Sequence, residues 1–344
     1  MTNLDGFFLF AFFILGAIVG SFLNVCIVRL PKMQSIVAPA SRCIHCATPI
    51  PWYDNIPLIS FLVLRAHCRF CRKKISFRYF LVELLTALAF VLFYEHFGLQ
   101  LILVPYLFLL SGFIVATFVD LEHRIIPDEI SVGGLVAGLA LSLLVPQMHD
   151  TSDMTLLAGR WFMVILVAFC FVLLLVGHFL QKDQETTSIE PDTAESDGMF
   201  YTMILIACGL VFLIHSLWPL LEKPGWENIL PHTLSLEASL IGFLAGGSSI
   251  YAMGMVGDLI FRKESMGGGD VKMLAMVGAF LGWKLTILAF FIAPLFGALA
   301  GIVVKIRTKE SVIAYGPFLA LGALVSLFWG NQIIDFILRG YGFF

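Results

Sequence analysis

Charge is the scarcest property of this 344-residue chain: Asp, Glu, Lys and Arg make up 13% of it, against 59% hydrophobic residues and a mean hydropathy of +0.94. So few ionisable groups exclude a stack of soluble domains and indicate a polytopic membrane protein. A net charge of -3, with the basic residues gathered in a few loops, gives no indication of a nucleic-acid partner. A glycine-rich strand-to-helix fingerprint is missing, and no soluble segment is long enough for a dinucleotide-type domain. The two halves show no convincing repeat of the kind that many transporters carry. No cleavable signal peptide is evident either, because Asp5 but no Lys or Arg precedes the first apolar run, so that run is expected to remain as an anchor.

What is present in abundance is the apolar run. A spanning helix needs roughly 20 mostly apolar residues, and about ten segments qualify, near 6–30, 79–97, 100–120, 130–147, 161–180, 200–221, 236–261, 271–283, 285–304 and 316–338. The eighth is short, so it is tilted, re-entrant or merged with its neighbour. The expected organisation is all-α: an anchor over 1–30, a polar loop over 31–78, spans over 79–147, an insertion of two spans with an acidic linker over 148–235, and final spans over 236–344. Arg29, Lys32, Arg42, Arg65, Arg69, Arg72, Lys73, Lys74 and Arg78 crowd the 31–78 loop and its borders, which places it in the cytoplasm by the positive-inside rule. Counting spans forward places Arg124, Lys182, Arg262 with Lys263, and Lys305 with Arg307 and Lys309 on the same side.

That loop holds Cys43-x2-Cys46 and Cys68-x2-Cys71. Two such knuckles about twenty residues apart are the pattern of a tetrahedral zinc site with four thiolate ligands. The alternatives are disulfides or free thiols, and a cytoplasmic position disfavours disulfides. With no position open to water, the zinc would be structural. Cys26, Cys170 and Cys208 lie singly in apolar runs and read as packing residues. Gly16 and Gly20, four apart before Ser21 and Asn24, suit close helix packing. Asp54 and Asn55 before Ile56-Pro57 suit a turn.

Acids inside apolar runs demand explanation, since a carboxylate costs on the order of 2.5–3.5 kcal/mol at the bilayer centre. Asp120 ends one run in Phe118-Val119-Asp120-Leu121-Glu122-His123-Arg124; Asp270 follows Met266-Gly267-Gly268-Gly269 at the mouth of another. Both fall on the cytoplasmic side by the span count. Two nearby carboxylates share one proton near neutral pH, so that one activates water while the other protonates a peptide carbonyl. Gly267, Gly268 and Gly269 would leave room for an extended substrate backbone. The bland readings are a helix-end acid in the headgroup region for Asp120 and a simple helix start for the glycines. Asp128, after Pro127, reads as support for the next helix. Glu83 is paired with a neighbour such as Arg78 or is functional, and Asp258 pairs with Arg262. A proton relay through Asp120, Asp258 and Glu83 in an ion-coupled transporter, or a non-enzymatic scaffold for secretion machinery, would be other classes of function.

Taken together, the motifs resemble those of the type IV prepilin peptidases, membrane aspartic proteases with a Gly-x-Gly-Asp motif. The likeness runs through Gly20-Ser21-Phe22-Leu23-Asn24-Val25, the twin Cys-x2-Cys loop with Asp54-Asn55-Ile56-Pro57 and Arg78-Tyr79, Asp120 through Ile126-Pro127-Asp128, Gly267 through Lys272, and Tyr315-Gly316-Pro317-Phe318-Leu319-Ala320. The resemblance implies an inner-membrane enzyme with Asp120 and Asp270 as catalytic acids at the cytoplasmic face. It would remove the basic leader of type IV pilin or type II secretion pseudopilin precursors after a glycine. It would then methylate the new N-terminal amine with S-adenosylmethionine, for which no binding residue is legible. Two departures stand out: Ala66 follows Arg65 where the family usually has glycine, and residues 148–235 lengthen the separation between the two acids.

Overall fold

The computed structural model describes residues 3–181, 202–204, 206–217, 228–261, 266–308 and 314–340. Among these there is no β-strand, only two isolated bridges in the cysteine loop. Six helices are long and apolar enough to cross a membrane. The helices are α1 (Asn3–Arg29), α2 (Ile59–Val63), α3 (Phe77–Phe97), α4 (Leu103–His123), α5 (Asp128–Leu144), α6 (Asp153–Gln181), α7 (Thr202–Leu217), α8 (Leu230–Phe261), α9 (Gly268–Thr308) and α10 (Gly316–Gly340). Over its described residues, each expected apolar segment thus falls on a helix. The acidic linker lies outside the described residues, as do Lys182, Arg262, Lys263 and Lys309. The chain forms two compact units, Met1–Pro127 and Asp128–Phe344.

In the first unit α1, α3 and α4 pack together beneath the cysteine loop. Gly16 and Gly20 do what their spacing suggests. A Cβ on Gly16 would sit 2.7 Å from the Ala87 Cα, and one on Gly20 would sit 2.8 Å from the Glu83 Cα, so only glycine permits this approach of α1 to α3. The Phe12 and Tyr94 rings stack at 4.7 Å along the same seam. The opposite face of α1 leaves Leu4, Phe7, Phe10, Ile14, Ile18 and Phe22 exposed, as a lipid-facing helix does.

The core of the second unit is α8 against the first arm of α9. Gly242 and Gly278 meet so closely that a Cβ on either would lie 2.1 or 2.0 Å from the other's carbonyl oxygen. The eighth and ninth expected segments belong to one helix broken at Gly282 (φ 73, ψ 171). A straight helix of 41 residues would be roughly 60 Å long, about twice the hydrocarbon thickness, so a break is needed. Near that break the Ala279 carbonyl accepts hydrogen bonds from Ser239 Oγ (2.6 Å) and from His149 Nε2 (3.1 Å). Since Nε2 must then carry the proton, His149 Nδ1 accepts from Ser235 Oγ at 3.0 Å. Helix α6 is bound into this unit by a forked pair between Arg160 and Glu237 (2.6 and 2.9 Å), whose Glu237 side chain is 0% exposed.

Candidate functional site

The cysteine loop builds its knuckles twice from the same backbone pattern. In one, Cys43 N–H donates to Thr48 O and Ala47 N–H to Cys43 O; in the other, Cys68 N–H donates to Lys73 O and Arg72 N–H to Cys68 O. Ala47 (φ 55) and Arg72 (φ 59) take the left-handed conformation that closes each turn. The turns bring all four Sγ atoms within 4.8 Å of one another, with Cys43 and Cys71 at 3.8 Å. A tetrahedron with metal–sulfur bonds of about 2.3 Å has edges of about 3.8 Å, so the cluster fits a metal ion. The Thr48 hydroxyl and amide lower the Cys46 thiol to about 6, and the Cys71 and Phe70 amides lower Cys68. At Cys71 the Lys73 amide lowers, but burial and hydrogen bonds with Cys68, Cys46 and Cys43 push it up to about 11. Four neighbouring thiols do not ionise together without a cation among them.

Between the knuckles the expected turn is a short 3-10 segment, Trp52–Asp54. Backbone bonds make it, from Asp54 N–H to Pro51 O and from Asn55 N–H to Trp52 O. The Asp54 carboxylate instead forks onto Arg69 at 2.7 and 2.5 Å, which holds it below the usual carboxylate range and ties the turn to the second knuckle.

Asp120 lies in the last turn of α4 and is 6% exposed. Its carbonyl accepts from Arg124 N–H at 2.8 Å, where Arg124 caps the helix in the left-handed conformation (φ 57, ψ 37). Two residues on, Glu122 is bound by Arg78 from the first turn of α3. That pairing corrects one expectation: Arg78 serves Glu122, while Glu83 accepts from the Leu58 backbone N–H at 2.7 Å and from the Ser21 hydroxyl.

Asp270 lies in the second unit, in the first turn of α9, where the helix dipole favours an acid. Gly268 and Gly269 are already helical, and Gly267 precedes them with its carbonyl accepting from Asp270 N–H at 3.1 Å. Among the described residues the nearest atom to a Cβ on Gly267 would be Asp270 Oδ2 at 3.8 Å, so within that set the surface beside the acid is open. Two turns of chemistry here were not legible as a pattern. Lys272, buried, donates to both oxygens of Asp128 at 3.0 and 3.1 Å, which ties the first turn of α5 to the first turn of α9. Tyr315, just before α10, has its hydroxyl pushed up to about 12 by burial and then by the Asp270 charge. Asp258 is exposed near the end of α8, not buried as the sequence suggested, and its proposed partner Arg262 lies outside the described residues.

The chain is similar to known proteins in both of its units. Residues 14–97 match the Bacterial Peptidase A24 N-terminal domain, and residues 198–302 match the Type IV leader peptidase family. Proteins named prepilin leader peptidase/N-methyltransferase are similar over nearly the whole chain. One from Myxococcus xanthus is 33% identical over 90% of this chain and 68% of its own length. One from Pseudomonas aeruginosa is 27% identical over 96% and 93%, and one from Neisseria gonorrhoeae 26% over 93% and 90%. No solved structure matches significantly. With four thiols gathered for a metal, an acid buried at the end of α4 and another behind three glycines at the start of α9, the chain belongs to the type IV leader peptidase family of multi-pass membrane proteins.

Proposed function

We propose that the protein is a prepilin leader peptidase that also methylates the amine it uncovers. The observation that carries this reading is the match to a relative of that name over nine-tenths of the chain. The substrates are type IV prepilins or type II secretion pseudopilin precursors, cut after the glycine that ends a short basic leader. Asp120 and Asp270 are the catalytic acids, one drawing a proton from water and the other giving one to the scissile carbonyl oxygen. Gly267, Gly268 and Gly269 admit the extended substrate. The open surface above Gly267 and the burial of Asp120 support these roles. Zinc is the metal suited to Cys43, Cys46, Cys68 and Cys71, and with four protein ligands its role is structural. S-adenosylmethionine supplies the methyl group. The enzyme resides in the bacterial inner membrane with the basic 31–78 loop and both acids at the cytoplasmic face. Incubating the purified protein in detergent with a precursor peptide tests the reading by mass spectrometry. Cleavage after glycine is expected; activity that appears only as solute movement in sealed vesicles would overturn it in favour of a transporter.

A further inference from the structure

A cavity of about 670 Å³ opens within the first unit, between α1, the start of α3 and the cysteine loop. Its size falls in the range of small-molecule sites. Val25 and Val28 of α1, with Phe61 and Phe80, contribute apolar lining, and Ser21, Asn24 and Glu83 form part of its polar floor. Each of these three offers hydrogen-bond acceptance. Asn24 is 2% exposed and spends its Nδ2 donors on the Gly20 and Tyr79 carbonyls (3.3 and 3.0 Å), leaving its Oδ1 as a buried acceptor without a partner. Glu83 is held by the Leu58 amide and the Ser21 hydroxyl, and among the described residues no cation pairs with it. The lining arginines nearest in sequence are committed elsewhere: Arg29 to the Ser35 and Pro39 carbonyls, Arg69 to Asp54. Arg42, Lys73 and Lys74 line the cavity from exposed positions on the cysteine loop.

The geometry at Leu58 suggests that this carboxylate is held deliberately. Leu58 adopts φ 62, ψ -49, with Ile59 N–H donating across it to Pro57 O at 2.6 Å. This is the strained form of γ-turn, disfavoured for a leucine, and it aims the Leu58 amide at Glu83. A fixed carboxylate and an unpartnered buried amide oxygen lining one cavity make a receptor for a positively charged nitrogen that donates several hydrogen bonds.

We propose that this cavity is the methyl-transfer chamber, with Glu83 and Asn24 holding a primary ammonium in it. Where that group is the substrate's N-terminus, it would give one proton to the Glu83 carboxylate, and the freed amine would then take the methyl group from a sulfonium donor that leaves as a neutral thioether. The proposal rests on the methyltransferase half of the function above. Two ligands carry that group: the amino-acid end of the methyl donor, and the new N-terminus of the cleaved substrate. The cavity fits either, and its acceptors make no distinction between them.

The test is equilibrium binding to the full-length, metal-loaded protein. One arm titrates S-adenosylhomocysteine against methylthioadenosine, which lacks the amino-acid end. The other titrates a mature peptide with a free N-terminus against its N-acetylated form. Glu83→Gln keeps an oxygen for the Leu58 amide but removes the charge, and should weaken the amine-bearing member of one pair by roughly tenfold or more while sparing its amine-free control. The arm that responds identifies the source. Val28→Trp, which fills the cavity from its wall, should abolish that binding by steric means with the polar floor intact. Metal content and melting temperature check that each variant folds. Parental methylation and binding that persist unchanged in both folded variants would overturn the chamber and leave the methyltransferase standing. A parent that binds neither ligand and never methylates would overturn both.

Discussion

The forked pair between Arg160 and Glu237 makes a sharp test of how the second unit holds together. Arg160 sits on α6, within residues 148–235, and Glu237 on α8, the helix at the core of the unit. Arg160→Met leaves the fully buried Glu237 without its cation, and such a loss costs about 3–5 kcal/mol. Arg160 is 20% exposed, so water that reaches the site moves the expectation to the lower end, about 3 kcal/mol. Replacing both residues with methionine removes the stranded charge and should return stability to within about 1 kcal/mol of the parent. At roughly 2–4 °C per kcal/mol for a unit of this size, the single variant should melt about 6–12 °C below the parent. Tryptophan fluorescence in detergent reads this directly, because Trp161 adjoins Arg160 and Trp283 stacks on Phe162 while donating to Thr155 O. A single variant within 1 °C of the parent, or a double variant as unstable as the single, would refute the claim that α6 is bonded into the core by this pair.

Other outcomes follow from the cysteine loop. Ala66 takes a left-handed conformation (φ 58), which costs an L-residue about 1–2 kcal/mol. Ala66→Gly should therefore stabilise the protein by about 0.5–1 kcal/mol after the extra freedom of the unfolded glycine is offset; a lower melting temperature would contradict this. Purified protein should contain one zinc per chain by mass spectrometry of the metal, Cys68→Ser should lose it, and the metal-free loop should become open to trypsin at Arg69, Arg72 and Lys73. Arg69→Gln should lower the melting temperature slightly at pH 7, since Arg69 is 46% exposed and water screens the pair. The Asp54 carboxyl is lowered in the fold, so that difference is complete above its unfolded value near 3.9 and vanishes as pH falls through the lower folded value. A difference that does not shrink as pH falls below 3.9 would assign the effect to something other than the pair.

Much of this was legible in the sequence because one-dimensional spacing maps directly onto three-dimensional contact in a helix or a knuckle. Cys-x2-Cys fixes a turn, so two copies announced the metal cluster; Gly16 and Gly20, four apart, announced the α1–α3 seam. Asp120 and Asp270 stood out because apolar surroundings make an acid costly. What was not legible depends on partners distant in sequence. Arg78 lies five residues before Glu83, yet binds Glu122 forty-four residues on; Lys272 finds Asp128 across 144 residues. The break at Gly282 lies about two residues from the expected boundary between the eighth and ninth segments, while the positive φ that makes it left no trace in the sequence. The departure at Ala66 had no physical meaning until its φ was known, and Glu83 declared itself only when Leu58 and Ser21 were found against it.

Two-aspartate proteolysis is the central claim, and single substitutions test it most directly. Parent, Asp120→Asn and Asp270→Asn should be purified with equal metal content and melting behaviour, and each incubated with a prepilin peptide bearing a basic leader. Mass spectrometry should show cleavage after glycine by the parent and none by either variant. Cleavage retained in either folded variant would remove that acid from the mechanism and contradict the account.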